Sequence, residues 1–600
     1  MQVAMERLRL ALLLLSALAA PATAQFGLDF ARLRAIVVEH GGRWQPLDTL
    51  AHDLVREVTG TQRFRGADPV FWLLRWTTDP ASEVRERLIP IRSAALRREL
   101  GLPADRTVYC PAELLDHDRL HELLEELRRG GPARPPEWLA AKLGEIQDRL
   151  DTLQHILDGE AIRPIPDPGD ALAPWRSIAW ARGSADPQLE PVVAAWDRLA
   201  DAFRTSEASA FSEASAALAA ALAVLPGRSG PPAELIAAEL RYNALQPFTL
   251  AWQGMALAFL VAIGAMGVRR RWLDFAGMAV TVLVLGLMIY GLSLRGAMAG
   301  EIPATNMYES LLWIGIGMAG FGVLAPLLFR QRLVAPVAVL VGWLALFLAD
   351  HVGLDPFVRP IVPVLRDTVW MTLHVPVIMI SYAILALGVV VAHLLVVLVA
   401  LAPRRPPLAD FLDRAHAWFI HVGSILLFVG IATGSMWAAS SWGRYWGWDP
   451  KEVWSLVAFL GYMAIMHVRV SREQVPGWAR GAAALLAILV FAAVLPRMAP
   501  ISALVAVCYA ATALAAAFLV LARGPFALAV KSILAFWLII MTYVGVNFIL
   551  GMGLHSYGFG RGAVAAWVVR LGIADLVLVA ACCGIHLLRE RRAAEPPAPA

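Results

Sequence analysis

The sequence is poor in charge and in the residue patterns that mark common soluble enzymes. Only 17% of its 600 residues are charged, 58% are apolar, and the mean hydropathy is +0.60. Soluble domains carry about a quarter charged residues, so this composition excludes a disordered chain, a fibrous protein and an ordinary cytosolic enzyme. Only four cysteines occur, and no two have the C-x-x-C spacing, which argues against a thioredoxin-like or zinc-ribbon site.

The charge that is present is distributed unevenly. Residues 25–249 hold 33 acidic and 26 basic residues, a net charge of −7, whereas residues 250–600 hold 14 acidic and 24 basic residues, a net charge of +10. The overall charge of +4 therefore averages an acidic soluble part and a basic, apolar membrane part, and it does not indicate nucleic-acid binding. Lysine is scarce, with only Lys142, Lys451 and Lys531 in the chain.

The part before residue 250 contains two kinds of segment. Residues 1–24 combine two arginines, a short apolar run and small residues before Gln25, which predicts a secretory signal peptide or, alternatively, an N-terminal anchor. Residues 25–249 are expected to be mainly helical. Leucine and isoleucine recur at steps of three and four from Leu139 to Leu157, and residues 188–224 form a second, alanine-rich helical stretch.

Eleven apolar runs after residue 249 are long enough, or nearly so, to cross a bilayer. They lie at roughly 250–268, 274–293, 309–328, 334–350, 375–401, 413–436, 453–471, 481–496, 501–522, 529–550 and 571–588. The predicted fold class is all-α: a polytopic α-helical membrane protein with about 11 transmembrane helices and an N-terminal, mainly helical extracytoplasmic domain.

Loop charge predicts the orientation of these helices. If residues 25–249 lie outside, the inner loops hold 16 basic residues and the outer loops eight, as the positive-inside rule requires. A multi-pass protein of the bacterial inner membrane is therefore expected. Its residues 25–249 and the loop at 437–454 would be periplasmic, and residues 589–600 would form a cytoplasmic tail.

Tryptophan is concentrated in that loop, called the Trp loop here (residues 437–454). Five tryptophans fall within it, at positions 437, 442, 446, 448 and 454. An interfacial aromatic belt would spread its rings over many helices and needs no Asp-Pro-Lys-Glu sequence. Indoles separated by glycines predict a flat apolar platform for a large planar ligand. Arg444 and Lys451 are suited to pair with carboxylates on its rim.

Histidines on the same predicted face indicate what the ligand is. His374 begins one span and His555 follows another, and two imidazoles are the groups needed for bis-axial ligation of haem iron. A lone interfacial histidine is more often structural, so the inference depends on their co-location with the Trp loop. His467 lies deep in a span, as a transit ligand or a structural residue. For the other intramembrane histidines, packing or snorkelling is the expected role: His393, His416, His421 and His586.

The order of these motifs resembles a known family. Trp442 to Glu452 resembles the WWD motif of haem-handling proteins, which include the CcsA/ResC, CcmC and CcmF types. Further segments resemble the CcsA/ResC branch: Pro303 to Leu311 with its N-x-Y-E-S-L pattern, Ile431 to Ala438, Met466 to Arg469, and Asn547 to Tyr557. Residues 250–588 are thus identified as a CcsA-like transmembrane haem-handling domain.

The resemblance implies system II cytochrome c biogenesis. Haem b would be moved to the outer face and joined by thioether bonds to the C-x-x-C-H motif of apocytochrome c, with His374 and His555 as axial ligands. The platform would be formed by Trp442, Trp446, Trp448 and Asp449. The protein would be a cytochrome c haem lyase (synthetase), or a component of one, that acts by positioning and needs no catalytic side chain of its own.

The resemblance also implies partners, and alternatives remain. Apocytochrome c, a ResB/CcsB-like membrane partner and thiol-reducing proteins are expected. Gly42 to Thr49 resembles the G-R-x-x-P-L-D-T opening of CcsA-like proteins with an external extension. One alternative is a haem export or delivery subunit without synthetase activity, as in the CcmC type. The other is an unrelated secondary transporter with a Trp-lined site, although such transporters tend to show internal repeats and none is evident.

Overall fold

Helices dominate both parts of the chain. This computed structural model describes residues 27–131, 135–167, 173–226, 230–268, 270–329, 331–352, 354–359, 369–402, 406–467, 527–550 and 563–594. The chain divides into a first unit (Met1–Gln246, Leu294–Gly300, Phe357–Pro360) and a second unit (Pro247–Ser293, Glu301–Pro356, Ile361–Ala600). Eight helices within the described residues are long and apolar enough to cross a membrane, and the protein is a polytopic α-helical membrane protein.

The first unit combines short helices with two small two-stranded antiparallel sheets. Its elements are α1 (Ala31–Arg34), β1 (Val37–His40), β2 (Arg43–Pro46), α2 (Leu47–Thr59), α3 (Pro69–Thr78), α4 (Pro80–Glu83), β3 (Ile89–Pro90), α5 (Ala94–Glu99), β4 (Val108–Tyr109), α6 (Pro111–Leu115), α7 (Asp118–Arg129), α8 (Glu137–Leu157), α9 (Ile178–Arg182), α10 (Glu190–Thr205), α11 (Ala208–Ala223) and α12 (Ala233–Leu245), with 3-10 turns at Phe64–Gly66 and Pro187–Leu189. β1 pairs antiparallel with β2 through Gly41 and Gly42, whose φ angles of 60° and 76° suit glycine in a two-residue hairpin turn.

The predicted apolar stripe at 139–157 faces the core of this unit. Five residues of the stripe are buried, as expected for one face of a helix, and Leu157 at its end is partly buried: Leu139, Leu143, Ile146, Leu150 and Leu153 are the buried ones. The predicted helical stretch at 188–224 consists of two helices, α10 and α11. Ser206 ends α10 in a left-handed conformation with φ 59°, and this turns the chain between them.

The segment from Gly42 to Thr49 holds α12 through a buried polar network. Arg43 donates two hydrogen bonds to Glu239 (2.9 and 2.8 Å), and the Thr49 hydroxyl donates to the same carboxylate (2.7 Å). Asn243, one turn further along α12, donates to the Thr49 hydroxyl (2.9 Å). Because Glu239 is only 2% exposed, its charge depends on Arg43 for compensation. The motif therefore fastens the helix that precedes the first membrane-spanning helix in the sequence.

A second charged cluster adjoins this network. Arg34 pairs with both Asp48 and Asp68, whose side chains are almost fully buried. Asn243 also donates to Asp48 (3.0 Å), which links the two clusters. Asp68 in addition caps α3 by accepting from the Val70 amide (2.9 Å). The Asp of the G-R-x-x-P-L-D-T pattern thus serves packing within the first unit.

The second unit consists of long helices. They are α13 (Pro247–Val268), α14 (Arg271–Ala299), α15 (Met307–Leu328), α16 (Val334–His351), α17 (Val369–Leu401), α18 (Pro407–Trp442), α19 (Pro450–His467), α20 (Ala527–Ile540), a π-helix (Met541–Leu550) and α21 (Ala563–Ala594). α19 covers the predicted span 453–471 as far as His467, and its first turn carries Lys451 and Glu452; it is not among the eight helices counted above. The predicted spans 481–496 and 501–522 and the predicted signal segment lie outside the described residues.

Glycines allow α17 and α18 to approach closely. A Cβ at Gly423 would lie 2.6 Å from Leu385, and a Cβ at Gly430 would lie 2.5 Å from Ile378. Both distances are shorter than side chains tolerate, and small residues at such positions are typical of helix contacts in membranes. The two helices are therefore held at a spacing that only glycine permits.

An intramembrane polar cluster joins three helices of the second unit. His393 of α17 is hydrogen-bonded to one oxygen of Asp575 on α21 (2.6 Å), and Trp537 of α20 donates to the other (2.6 Å). The Nδ1–H of His393 donates to the Val389 carbonyl (2.8 Å), since a carbonyl oxygen can only accept. One proton therefore lies between Nε2 and the carboxylate, and the pair as a whole is neutral, which suits an apolar environment.

The network around Glu239 gives a testable prediction. The Glu239→Gln substitution should destabilise the first unit, because the buried Arg43 guanidinium loses its counter-charge, and breaking a buried ion pair costs about 3–5 kcal/mol. The measurement is limited trypsin digestion of the full chain in membrane vesicles, with faster cleavage expected within residues 27–246. Glu234→Gln, at an exposed position of the same helix, is the matched control. Equal cleavage rates for both variants and the wild type would contradict the prediction.

Candidate functional site

The Asp-Pro-Lys-Glu sequence of the Trp loop forms the start of α19. Asp449 accepts from the Lys451 amide (3.0 Å), and Glu452 accepts from the amides of Asp449 (3.2 Å) and Gly447 (2.7 Å). Pro450 occupies the first helical position, where an amide would have no partner within the helix. Asp449 thus caps the helix through the amide of its second residue, and Glu452, the third residue, accepts from the Asp449 amide as the acidic residue of a capping box does.

The five tryptophans of the Trp loop do not form one flat stack. Trp437 and Trp454 are buried, whereas Trp448 is 70% exposed. The rings of Trp446 and Trp448 are perpendicular at 6.1 Å, and those of Trp437 and Trp442 are tilted by 33° at 6.4 Å. Three of the five rings belong to α18 and α19, so the helix period sets their directions and prevents a common plane.

The irregular part of the Trp loop is tightly folded. Gly443 ends α18 with φ 68°, and Trp448 has φ 57°, a left-handed conformation that a bulky residue adopts only at an energetic cost. Gly447 leaves room for the Arg444 guanidinium, since a Cβ at this glycine would lie 2.0 Å from Nη1. The backbone thus turns sharply, with the Trp448 indole largely exposed.

A cavity opens beside the Trp loop within the second unit. Together with the solvent at its mouth it encloses about 1020 Å³, at the upper end of the range for ligand sites. Its wall combines apolar side chains of α17 and α18 with a few polar groups. Among the residues that line it are Asn306, Ser310, His374, Tyr382, Gly434, Trp437, Trp446, Lys451, Glu452 and Tyr543.

His374 is held in this cavity by α18. Its Nδ1–H donates to the Gly430 carbonyl (2.7 Å), and its ring lies 5.8 Å from that of Trp437. A Cβ at Gly434 would lie 2.7 Å from the imidazole, so only glycine fits there. Because Nδ1 carries the proton, the lone pair of the neutral ring is on Nε2, which is the arrangement of histidines that coordinate metals.

The segment with the N-x-Y-E-S-L pattern caps α15 beside the cavity. Asn306 accepts from the Glu309 amide (2.9 Å), and Glu309 accepts from the amide and hydroxyl of Thr305 (2.8 and 2.9 Å). Trp313 donates to the Pro303 carbonyl (2.8 Å) and holds the chain entering the helix. These polar residues have structural roles at the helix N-terminus.

Two tyrosines that the sequence analysis did not predict as site residues also line the cavity. The rings of Tyr382 on α17 and Tyr543 in the π-helix lie 6.3 Å apart, and Lys451 Nζ is 5.3 Å from the Tyr543 ring. Tyrosine in an apolar helix carries no sequence signal of its own. The π-helix is the structural signal here, since such segments are frequent at functional sites.

The predicted site residues are placed as follows. His374, Trp446 and Lys451 line the cavity. The other described members of the set belong to the Trp loop without lining the cavity: Trp442, Arg444, Trp448 and Asp449. His467 is the last described residue of α19, and His555 lies outside the described residues.

The chain is similar both to a family model and to individual known proteins. Residues 304–496 match the family model described as cytochrome C assembly protein. Protein NrfI of Wolinella succinogenes is 27% identical over 559 residues, which cover 88% of this chain and 54% of NrfI, so the chain spans about half the length of that relative. The cytochrome c biogenesis protein CcsA of Synechococcus elongatus is 29% identical over 362 residues, covering 51% of this chain and 92% of CcsA. CcsA of Microcystis aeruginosa is 26% identical over the same length.

The hydrogen bond from the Lys451 amide to Asp449 predicts how substitutions of Asp449 affect the start of α19. Asp449→Ala should loosen the start of α19 by about 1 kcal/mol, equivalent to about fivefold faster local opening, whereas Asp449→Asn keeps the capping oxygen and should change little. Amide hydrogen exchange of the peptide spanning residues 443–455 measures this difference. Equal exchange in the alanine and asparagine variants would show that Asp449 does not act as a cap.

Proposed function

We propose that this chain, a CcsA-type protein with an N-terminal extension by its similarities, holds haem in the cavity beside the Trp loop for attachment to apocytochrome c. One observation supports this most directly. His374 lies in the cavity with its Nδ1–H bound to a backbone carbonyl, which assigns the lone pair to Nε2. Haem iron takes such a nitrogen as an axial ligand.

The other residues of the cavity suit haem as a substrate. Val375, Ile378 and Ile431 provide apolar surface for a porphyrin, while Trp437 and Trp446 provide aromatic edges. Lys451 provides a cation for a propionate, and Arg444 in the Trp loop is a second candidate. The remaining residues of the Trp loop support the aromatic wall: Trp442, Trp448 and Asp449. His555 would supply the second axial ligand.

The proposed reaction is the addition of thiols to vinyl groups. Each cysteine sulfur of a C-x-x-C-H motif forms a bond to the inner vinyl carbon, and the thiol hydrogen is added to the outer carbon, so no oxidant is consumed. The protein's own contribution is positioning: it holds the macrocycle, orients its vinyl edge and limits water. The histidine of the acceptor motif would then replace one axial ligand as the product leaves.

We further propose where in the cell this protein lies and which proteins assist it. The chain would lie in the bacterial inner membrane, with the Trp loop and residues 25–249 on the periplasmic side. His467 would be a transit ligand as haem b moves across the membrane. A ResB/CcsB-like protein and thiol-reducing proteins would assist, since the acceptor cysteines must be reduced to react.

The central test is spectroscopic. The wild-type chain, purified from a haem-replete host, should show the absorption bands of bis-histidine haem, and His374→Ala and His555→Ala should each lose or shift them. Maturation of a reporter cytochrome c in a host without its own system, with and without a ResB-type partner, tests attachment. Wild-type protein without haem would overturn the proposal. Bound haem without reporter maturation under either condition would favour a delivery subunit.

Gly434 gives a more selective prediction. Gly434→Ala places a methyl group 2.7 Å from the His374 ring, so the imidazole must move and the haem bands should weaken or shift as in His374→Ala. Gly320→Ala on α15 is the matched control, because a Cβ there meets nothing within 4 Å. Added imidazole should restore a bis-nitrogen spectrum in Gly434→Ala. Normal spectra in this variant would show that His374 does not bind the iron.

A further inference from the structure

Tyr382 and His374 line the same cavity from one helix, α17. The two residues are eight positions apart on α17, which corresponds to about 12 Å along the axis. Tyr382 is only 7% exposed, and it lines the cavity.

The hydroxyl of Tyr382 has no hydrogen-bond partner among the described residues. Tyr462 on α19 offers a comparison, since its hydroxyl also has no partner in the described part of the chain but is sealed from solvent. The Tyr382 hydroxyl, in contrast, is not fully buried. Because Tyr382 lines the cavity, its remaining exposed surface faces the cavity. A ligand in the cavity can therefore supply the hydrogen-bond acceptor that the Tyr382 hydroxyl lacks in the described structure.

The cation nearest to the two tyrosines is Lys451, which suits a ligand group that is a negatively charged acceptor. Lys451 Nζ lies over the Tyr543 ring, which packs against Tyr382. The nearby carboxylates are already engaged by backbone donors: Glu309 accepts from the Thr305 amide, and Glu452 from the amides of its own cap. A hydroxyl donor and an ammonium group thus both adjoin the Tyr543 ring in the lining of the cavity.

We propose that Tyr382 is a substrate-positioning residue, whose hydroxyl donates to a propionate carboxylate of haem while Lys451 supplies the counter-charge. The inference rests on the proposed function and extends it to the orientation of the substrate. With its propionate edge held at Tyr382, the macrocycle directs its vinyl edge away from this residue, which fixes the side from which thiols must approach. The ligand that Tyr382 and Lys451 would recognise is a planar apolar molecule that carries a carboxylate.

The test compares two ligands and two tyrosines. Haem and haem dimethyl ester, which lacks free carboxylates, are titrated into the purified full chain in detergent. Tyr382→Phe should weaken haem binding about tenfold or more, as expected for a lost hydrogen bond to a charged group, and weaken dimethyl ester binding clearly less, because the ester carbonyl is only a neutral acceptor. Tyr462→Phe is the matched control and should leave both affinities unchanged. Lys451→Gln should weaken haem binding with the same selectivity.

The outcomes separate the inference from the proposed function. An equal loss of affinity for both ligands in Tyr382→Phe would indicate a general packing effect and overturn the inference. Unchanged haem affinity in this variant, with His374-dependent bands in the wild type, would overturn the inference and leave the proposed function intact. Wild-type protein that binds neither ligand would overturn both.

Discussion

The hydrogen bond from His374 to the Gly430 carbonyl is the interaction on which the cavity depends. It forms because α18 presents glycines to α17, so that the imidazole lies against helix backbone instead of another side chain. The bond selects the tautomer and, together with the tight contact at Gly434, the direction of the ring. The same close approach of α17 and α18 places Val375, Ile378 and Ile431 along the wall. A larger residue at either glycine would change ligand geometry and helix packing together.

The polar residues of the Asp-Pro-Lys-Glu and N-x-Y-E-S-L motifs have structural roles, whatever they contribute to ligand binding. Asp449 and Glu452 cap α19, while Asn306 and Glu309 organise the start of α15. Their carboxylates are stabilised by backbone donors, which leaves cationic and hydroxyl groups as the distinctive chemistry of the cavity. A substitution in these motifs therefore acts through helix position as well as through contact, and only matched variants separate the two effects.

Both units handle buried charge by pairing residues that are distant in sequence. In the first unit Arg43 meets Glu239, and in the second His393 meets Asp575. Pairing lowers the cost of burying charge and makes each contact specific for one arrangement of helices. The G-R-x-x-P-L-D-T pattern is explained to this extent: its glycine makes the hairpin turn, and its arginine, aspartate and threonine hold α12.

The sequence by itself determined the fold class and the family. Apolar length specifies membrane helices because a bilayer has a fixed thickness and offers the backbone no hydrogen-bond partners, and the order of the motifs identifies the CcsA type. The apolar spacing along α8 likewise specified one helix with one buried face. Which rings of the Trp loop face the cavity, and which tyrosine hydroxyl opens into it, were decided only by the tertiary structure. Those features depend on which helix faces meet, and the contact between His374 and Gly430 joins residues 56 positions apart, beyond the reach of any local pattern.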